Sequence, residues 1–197
     1  MDDACELTLC FLGQRDYLQG TTLFDALEPW YAGGFDIRFK LARMMKTDRV
    51  EVEEVSDGKF EAARYAATLL WRAASGERQL GVVPLPPSTK PERMPFDEEA
   101  ITGRAQWERQ QVTLVGQAGE SLVRCVVALN KALLFRVLSP PLPGQWLFTR
   151  LELRRPVPTF DRLQLTYKNS VGMAAVSTAI EVDQASAGSV MFSWLKR

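Results

Sequence analysis

Residues 13–22, Gly-Gln-Arg-Asp-Tyr-Leu-Gln-Gly-Thr-Thr, hold the richest group of side chains able to do chemistry. Asp16 can act as a general base toward water or as a nucleophile. Gln19 can orient a water or a carbonyl, and Thr21 adds a hydroxyl. Backbone N–H groups near Gly20 and Thr21 can form a hole for a developing oxyanion. Arg15 can meet a phosphate, and Tyr17 is a further ligand contact. The same residues also have a structural use. Asp16 then caps a helix, Gly20 relieves crowding, Thr21 and Thr22 bond the backbone, and Arg15 is a solvated charge. A second, sparser group, Glu120 and Ser121, stands at another helix start, where an acidic first turn and a cap explain both residues as well as ligand binding does.

No histidine occurs in the 197 residues. That removes Ser-His-Asp and Cys-His catalysis, and every acid–base scheme that needs imidazole. Cys5, Cys10 and Cys125 show no metal-ligand spacing, and no metal or other cofactor is implied. Lys and Arg total 24, as do Asp and Glu, with a pI near 6.4. This balance gives no pull toward nucleic acid or anionic lipid. The acidic start, Met-Asp-Asp, lacks the pattern of an export signal, so the expectation is a reduced, cytoplasmic protein with no membrane insertion.

These residues need elements to position them. Residues 6–11 alternate like a strand, and residues 17–30 carry apolar side chains near helical spacing. Residues 35–52 read FDIRFKLARMMKTDRVEV: a strand with Ile37, Phe39 and Leu41 on one face, a bend, then a second strand. Residues 148–165, FTRLELRRPVPTFDRLQL, say nearly the same. Residues 121–138 form an apolar helix interrupted by Arg124, Lys131 and Arg136, which reads as core and not as a membrane span. The other pieces are collinear as well. QVTLVGQ at 111–117 echoes ELTLCFLGQ at 6–14, and residues 61–85 parallel 172–195, with the turn AASG at 73–76 set against ASAG at 185–188. The second copy of this last pair is β-branched, so both are read as strand. The order strand, helix, four strands thus repeats at about 112 residues. Residues 1–85 and 109–197 are the two expected repeats, and the proline-rich 86–108 is the expected linker.

This order resembles the hot-dog superfamily, in which an antiparallel sheet wraps a central helix. RLELRRPVPTFDRLQL looks like the family's strand after the helix, its proline-containing bend and the Asp that opens the next strand. DYLQGTTLFDALE looks like the helix start of the thioesterase branch. The tandem copies are similar to the double hot-dog proteins, which include acyl-CoA thioesterases and acyl dehydratases. The resemblance implies an α+β, double hot-dog fold that binds acyl groups on CoA or acyl carrier protein. The acyl chain would lie between helix and sheet, with its thioester at the helix N-terminus. Dehydratases of the family rely on a histidine, which another subunit would have to supply here. Some double hot-dog thioesterases use an Asp, a Gln and a Thr or Ser. Asp16, Gln19 and Thr21 are the residues available for that, although the final strand, SVMFSWL, lacks the expected Gln. Two functions follow as expectations. One is a histidine-independent thioesterase contacting its ligand through Arg15, Tyr17, Gly20, Glu120 and Ser121. The other is a non-catalytic acyl-binding subunit. Its partner would be a second copy or a different hot-dog protein in fatty-acid or polyketide metabolism.

Overall fold

Alternation writes the strands, and prolines and glycines cut them. A computed structural model describes residues 4–55, 63–116, 119–138, 143–172 and 174–196. The chain divides into two units, Met1–Phe96 and Asp97–Arg197.

In the first unit β1 (Cys5–Thr8) and β2 (Phe11–Leu12) precede two short helices, α1 (Gly20–Ala26) and α2 (Glu28–Tyr31). Strands β3 (Phe35–Leu41), β4 (Arg49–Glu54), β5 (Ala67–Ala73), β6 (Gly76–Pro84) and β7 (Arg93–Met94) follow. The helix expected over 17–30 is therefore shorter and broken. Leu27 closes α1, its N–H reaching both the Leu23 and Phe24 carbonyls, and Pro29 lacks the N–H that would carry the ladder on. The main sheet of this unit runs β1-β4-β6-β5-β3, antiparallel throughout. Leu23 and Leu27 are fully buried, and the Phe24 ring meets Phe39 of β3 edge-on at 5.5 Å, which seats α1 on the sheet.

The second unit opens with α3 (Glu98–Gly103), β8 (Gln106–Trp107) and β9 (Gln111–Val115). Helix α4 (Leu122–Val137) then leads into β10 (Gly144–Leu153), β11 (Arg162–Val171), β12 (Ala175–Val182) and β13 (Ala185–Lys196). Its sheet runs β8-β9-β11-β12-β13-β10, again antiparallel. Helix α4 packs on β9, β10 and β11. It is buried on most of its circumference, with Cys125, Val126, Leu129, Leu133 and Leu134 at its centre, as an all-round apolar helix must be.

Both units show strand, helix, four strands, but the last two strands change places. β4 pairs with β6 in the first unit, whereas its counterpart β11 pairs with β12 in the second. The matched turns also part. Residues 73–76 do form the β5–β6 turn, but the β12–β13 turn is Asp183-Gln184, and ASAG begins β13. Of the long strand expected through residues 60–74, only Ala67–Ala73 is strand, and residues 56–62 lie outside the described residues. The proline-rich 86–108 is not bare chain. It carries β7, α3 and β8, and β7 pairs in parallel with β2.

Candidate functional site

The loop 13–19 runs from β2 to the first turn of α1 and carries most of the candidate residues. Gly13 starts it with φ +59, a conformation that glycine adopts freely. At its far end Leu18 N–H donates to the Met45 carbonyl at 2.9 Å, which ties the loop to the bend before β4. Gln19 is then the N-cap of α1, with extended backbone, and its carbonyl accepts from Leu23 N–H at 3.2 Å. Asp16 is not that cap, contrary to the structural reading of its type.

Burial separates the candidates. Asp16 is exposed, Arg15 and Tyr17 are half-buried, and Gln19, Gly20, Thr21 and Thr22 are buried. Thr21 Oγ1 donates to Gln19 Oε1 at 3.4 Å, which turns the Gln19 carbonyl away and leaves its amide nitrogen as the donor. Among the described residues that Nε2 has no partner, and neither has Thr22 Oγ1. An unpartnered buried amide costs on the order of 1–3 kcal/mol, so the position is chemically expectant. Among the described residues no hydrogen bond or ion pair engages the Asp16 carboxylate. The structure thus brings Gln19, Thr21 and Thr22 together and leaves Asp16 in water. Helix α1 has seven residues, too few for a strong terminal dipole.

The second group is used structurally. Ser121 is the N-cap of α4, its Oγ accepting from Arg124 N–H at 3.4 Å, and Glu120 pairs with the Arg124 guanidinium at 2.9 Å. Both groups have internal partners, which is what a cap and an i,i+4 pair do.

Three features escaped the sequence reading. Thr22 is buried with its hydroxyl unmatched, where a backbone contact was expected. Asp48 is 1% exposed and accepts from the Ser88 N–H at 2.9 Å and the Ser88 hydroxyl. Asn130, midway along α4, is fully buried, and among the described residues neither end of its amide is bonded. For Asn130 the signal was its place as an uncharged polar residue inside a long apolar run. In α2, burial above all pushes the Tyr31 phenol far above its ordinary range, with the charges of Asp25 and Glu28 adding to it.

No family profile and no curated protein sequence matches the chain. Solved structures do. The dehydratase domain of PpsC from Mycobacterium tuberculosis, in complex with C12:1-CoA, superposes with a TM-score of 0.50 at 9% identity, over 98% of this chain and 93% of that one. The chain has a double hot-dog fold. An acyl-ACP thioesterase from Bacteroides thetaiotaomicron gives a TM-score of 0.49 at 8% identity over 98% of each chain. The dehydratase domain of RzxB from Pseudomonas fluorescens gives 0.46 at 12% identity, over 98% of this chain and 92% of that one. No helix among the described residues is long and apolar enough to cross a membrane.

Proposed function

We propose that this hot-dog protein binds acyl thioesters in the cytoplasm, on CoA or on acyl carrier protein, and does not hydrolyse them. One observation carries the reading. The buried Gln19 Nε2 is a neutral donor with no partner among the described residues, placed where the short helix α1 begins. A neutral amide can hold a carbonyl oxygen but cannot move a proton at ordinary pH. The one carboxylate of the loop, Asp16, stands exposed and makes no bond with Gln19 or Thr21. The fold agrees, since the matched PpsC domain is in complex with an acyl-CoA.

The test is a panel of acyl-CoA and acyl-carrier-protein esters, short to long, scored for both binding and thiol release. Native protein, Gln19→Leu and Asp16→Asn are compared. The expected result is binding without thiol release, weakened about tenfold in Gln19→Leu by loss of one buried hydrogen bond to the ligand. Thiol release that vanishes in Asp16→Asn would overturn this in favour of a hydrolase with Asp16 as its base or nucleophile. No binding of any ester would end the acyl reading.

A further inference from the structure

The loop that presents Gln19 does not hold itself. Within it Arg15 N–H donates to the Leu12 carbonyl at a long 3.4 Å. A different stretch of chain, residues 85–96, lies along its start and bonds both Gly13 and Arg15. Phe11 N–H donates to the Glu92 carbonyl at 2.9 Å, and Gly13 N–H to the Met94 carbonyl at 2.9 Å. They flank the parallel pairing of β2 with β7, in which Phe11 lies beside Arg93 and Leu12 beside Met94. Between them Arg93 reaches back. Its Nη1 donates to the Gly13 carbonyl at 3.1 Å and to the Arg15 carbonyl at 2.7 Å, while the guanidinium lies 5.8 Å from the centre of the Phe11 ring. One cationic nitrogen therefore ties together two carbonyls of a turn that begins at the positive-φ Gly13.

The other end of the stretch is anchored deeper. Leu85 N–H donates to the Arg49 carbonyl at 3.0 Å, and Ser88 gives both its N–H and its hydroxyl to the buried Asp48 carboxylate. Pro86, Pro87, Pro91 and Pro95 lie on either side of and between the anchors. Proline has a fixed φ and no N–H to offer a competing element, so the stretch stays extended between its fastenings.

We propose that residues 85–96 are a strap that sets the loop 13–19, with Arg93 as a positioning residue for the Gln19 amide. The ordering of the loop stands on the geometry alone. Its consequence for ligand rests on the acyl-binding reading above.

Hydrogen exchange read by mass spectrometry on the full chain separates the two. Native protein, Arg93→Ala and Arg93→Lys are compared, alongside dodecanoyl-CoA affinity. In Arg93→Ala the amides of residues 12–19 exchange about tenfold faster, while peptides from β4–β6 and β10–β13 keep their native rates. Arg93→Lys, which keeps a cationic donor, recovers part of the protection. Dodecanoyl-CoA affinity falls about fivefold in Arg93→Ala at unchanged thermal stability of the rest of the fold. Unchanged exchange over 12–19, or loosening spread through β4–β6, would overturn the strap. Faster exchange with native affinity would overturn the positioning role. If the native protein binds no acyl-CoA, the acyl reading falls and the exchange data alone decide the strap.

Discussion

Asp48 is the one charged residue in the buried set among the described residues. Burial, the largest influence on it, pushes its carboxyl up. The side-chain and backbone bonds from Ser88 and the charge of Arg49 outweigh that, and it titrates below its ordinary 3.8. A carboxyl depressed on folding adds stability above its unfolded pKa and gives it up as pH falls through the folded value. Asp48→Asn should therefore cost about 1–3 kcal/mol near neutral pH, the worth of charge-assisted bonds to a buried acceptor. Urea unfolding at about pH 7, 5 and 3 measures this, and the gap between native protein and variant should narrow only at the lowest pH. A gap constant to about pH 3 would mean that the bonds do not need the charge. In the sequence Asp48 was legible only as the residue that opens a strand. What buries it is Ser88, 40 positions later, and no local pattern names a partner so distant. Asp16 and Gln19 show the converse. Their types promised chemistry together, but three residues of loop turned one into water and the other inward.

Helix α4 was plain in the sequence because its apolar residues run on for more than three turns with a Ser-start and a proline-rich stop. Its interior asparagine is the exception. With both amide atoms buried and unbonded among the described residues, Asn130 is a net cost, and Asn130→Leu, which has the same number of side-chain heavy atoms and no polar group, should raise stability by about 1–3 kcal/mol in denaturant unfolding. A loss instead would reveal a partner for the amide in solution, water or ligand. Strand β6 carries the opposite constraint. A Cβ at Gly81 would lie 2.1 Å from the Tyr65 ring, whose hydroxyl donates to Glu53 Oε1 at 2.6 Å. Gly81→Ala must displace that ring and break its bond, for a loss of about 1–3 kcal/mol by the same measurement. An unchanged midpoint would mean that the ring swings aside freely. α1 was legible as a helix but not as a short one, because apolar spacing over residues 17–30 does not show that a second helix starts at Glu28, with Pro29 in its first turn.

At the scale of the whole molecule, the repeat predicted the element order in both units but not their strand order. Period-two alternation tells which face of a strand is wet, not which neighbour it takes, so β5 and β6 could exchange places without any change in pattern. The β12–β13 turn was misplaced for a related reason. Asp183 and Gln184 both take positive φ there, at 49° and 67°, without the glycine that usually advertises such a turn.

Several charges on the outer strand faces are paired. Arg38 pairs with Glu77 at 3.2 Å and Arg72 with Asp36 at 3.3 Å, and Arg150 pairs with Glu152. Such exposed pairs are each worth less than about 1 kcal/mol. Nor does the chain hold an imidazole, the one side chain whose ordinary pKa lies near neutrality. Any turnover by the purified chain should then show no inflexion between about pH 6 and 7 and no loss on treatment with a histidine-modifying reagent. With a 3-hydroxyacyl-CoA, binding should proceed while no enoyl absorbance develops. Enoyl product from the purified chain would mean that a carboxylate works here as both acid and base, and Asp16→Asn and Asp48→Asn, measured side by side, would tell which one.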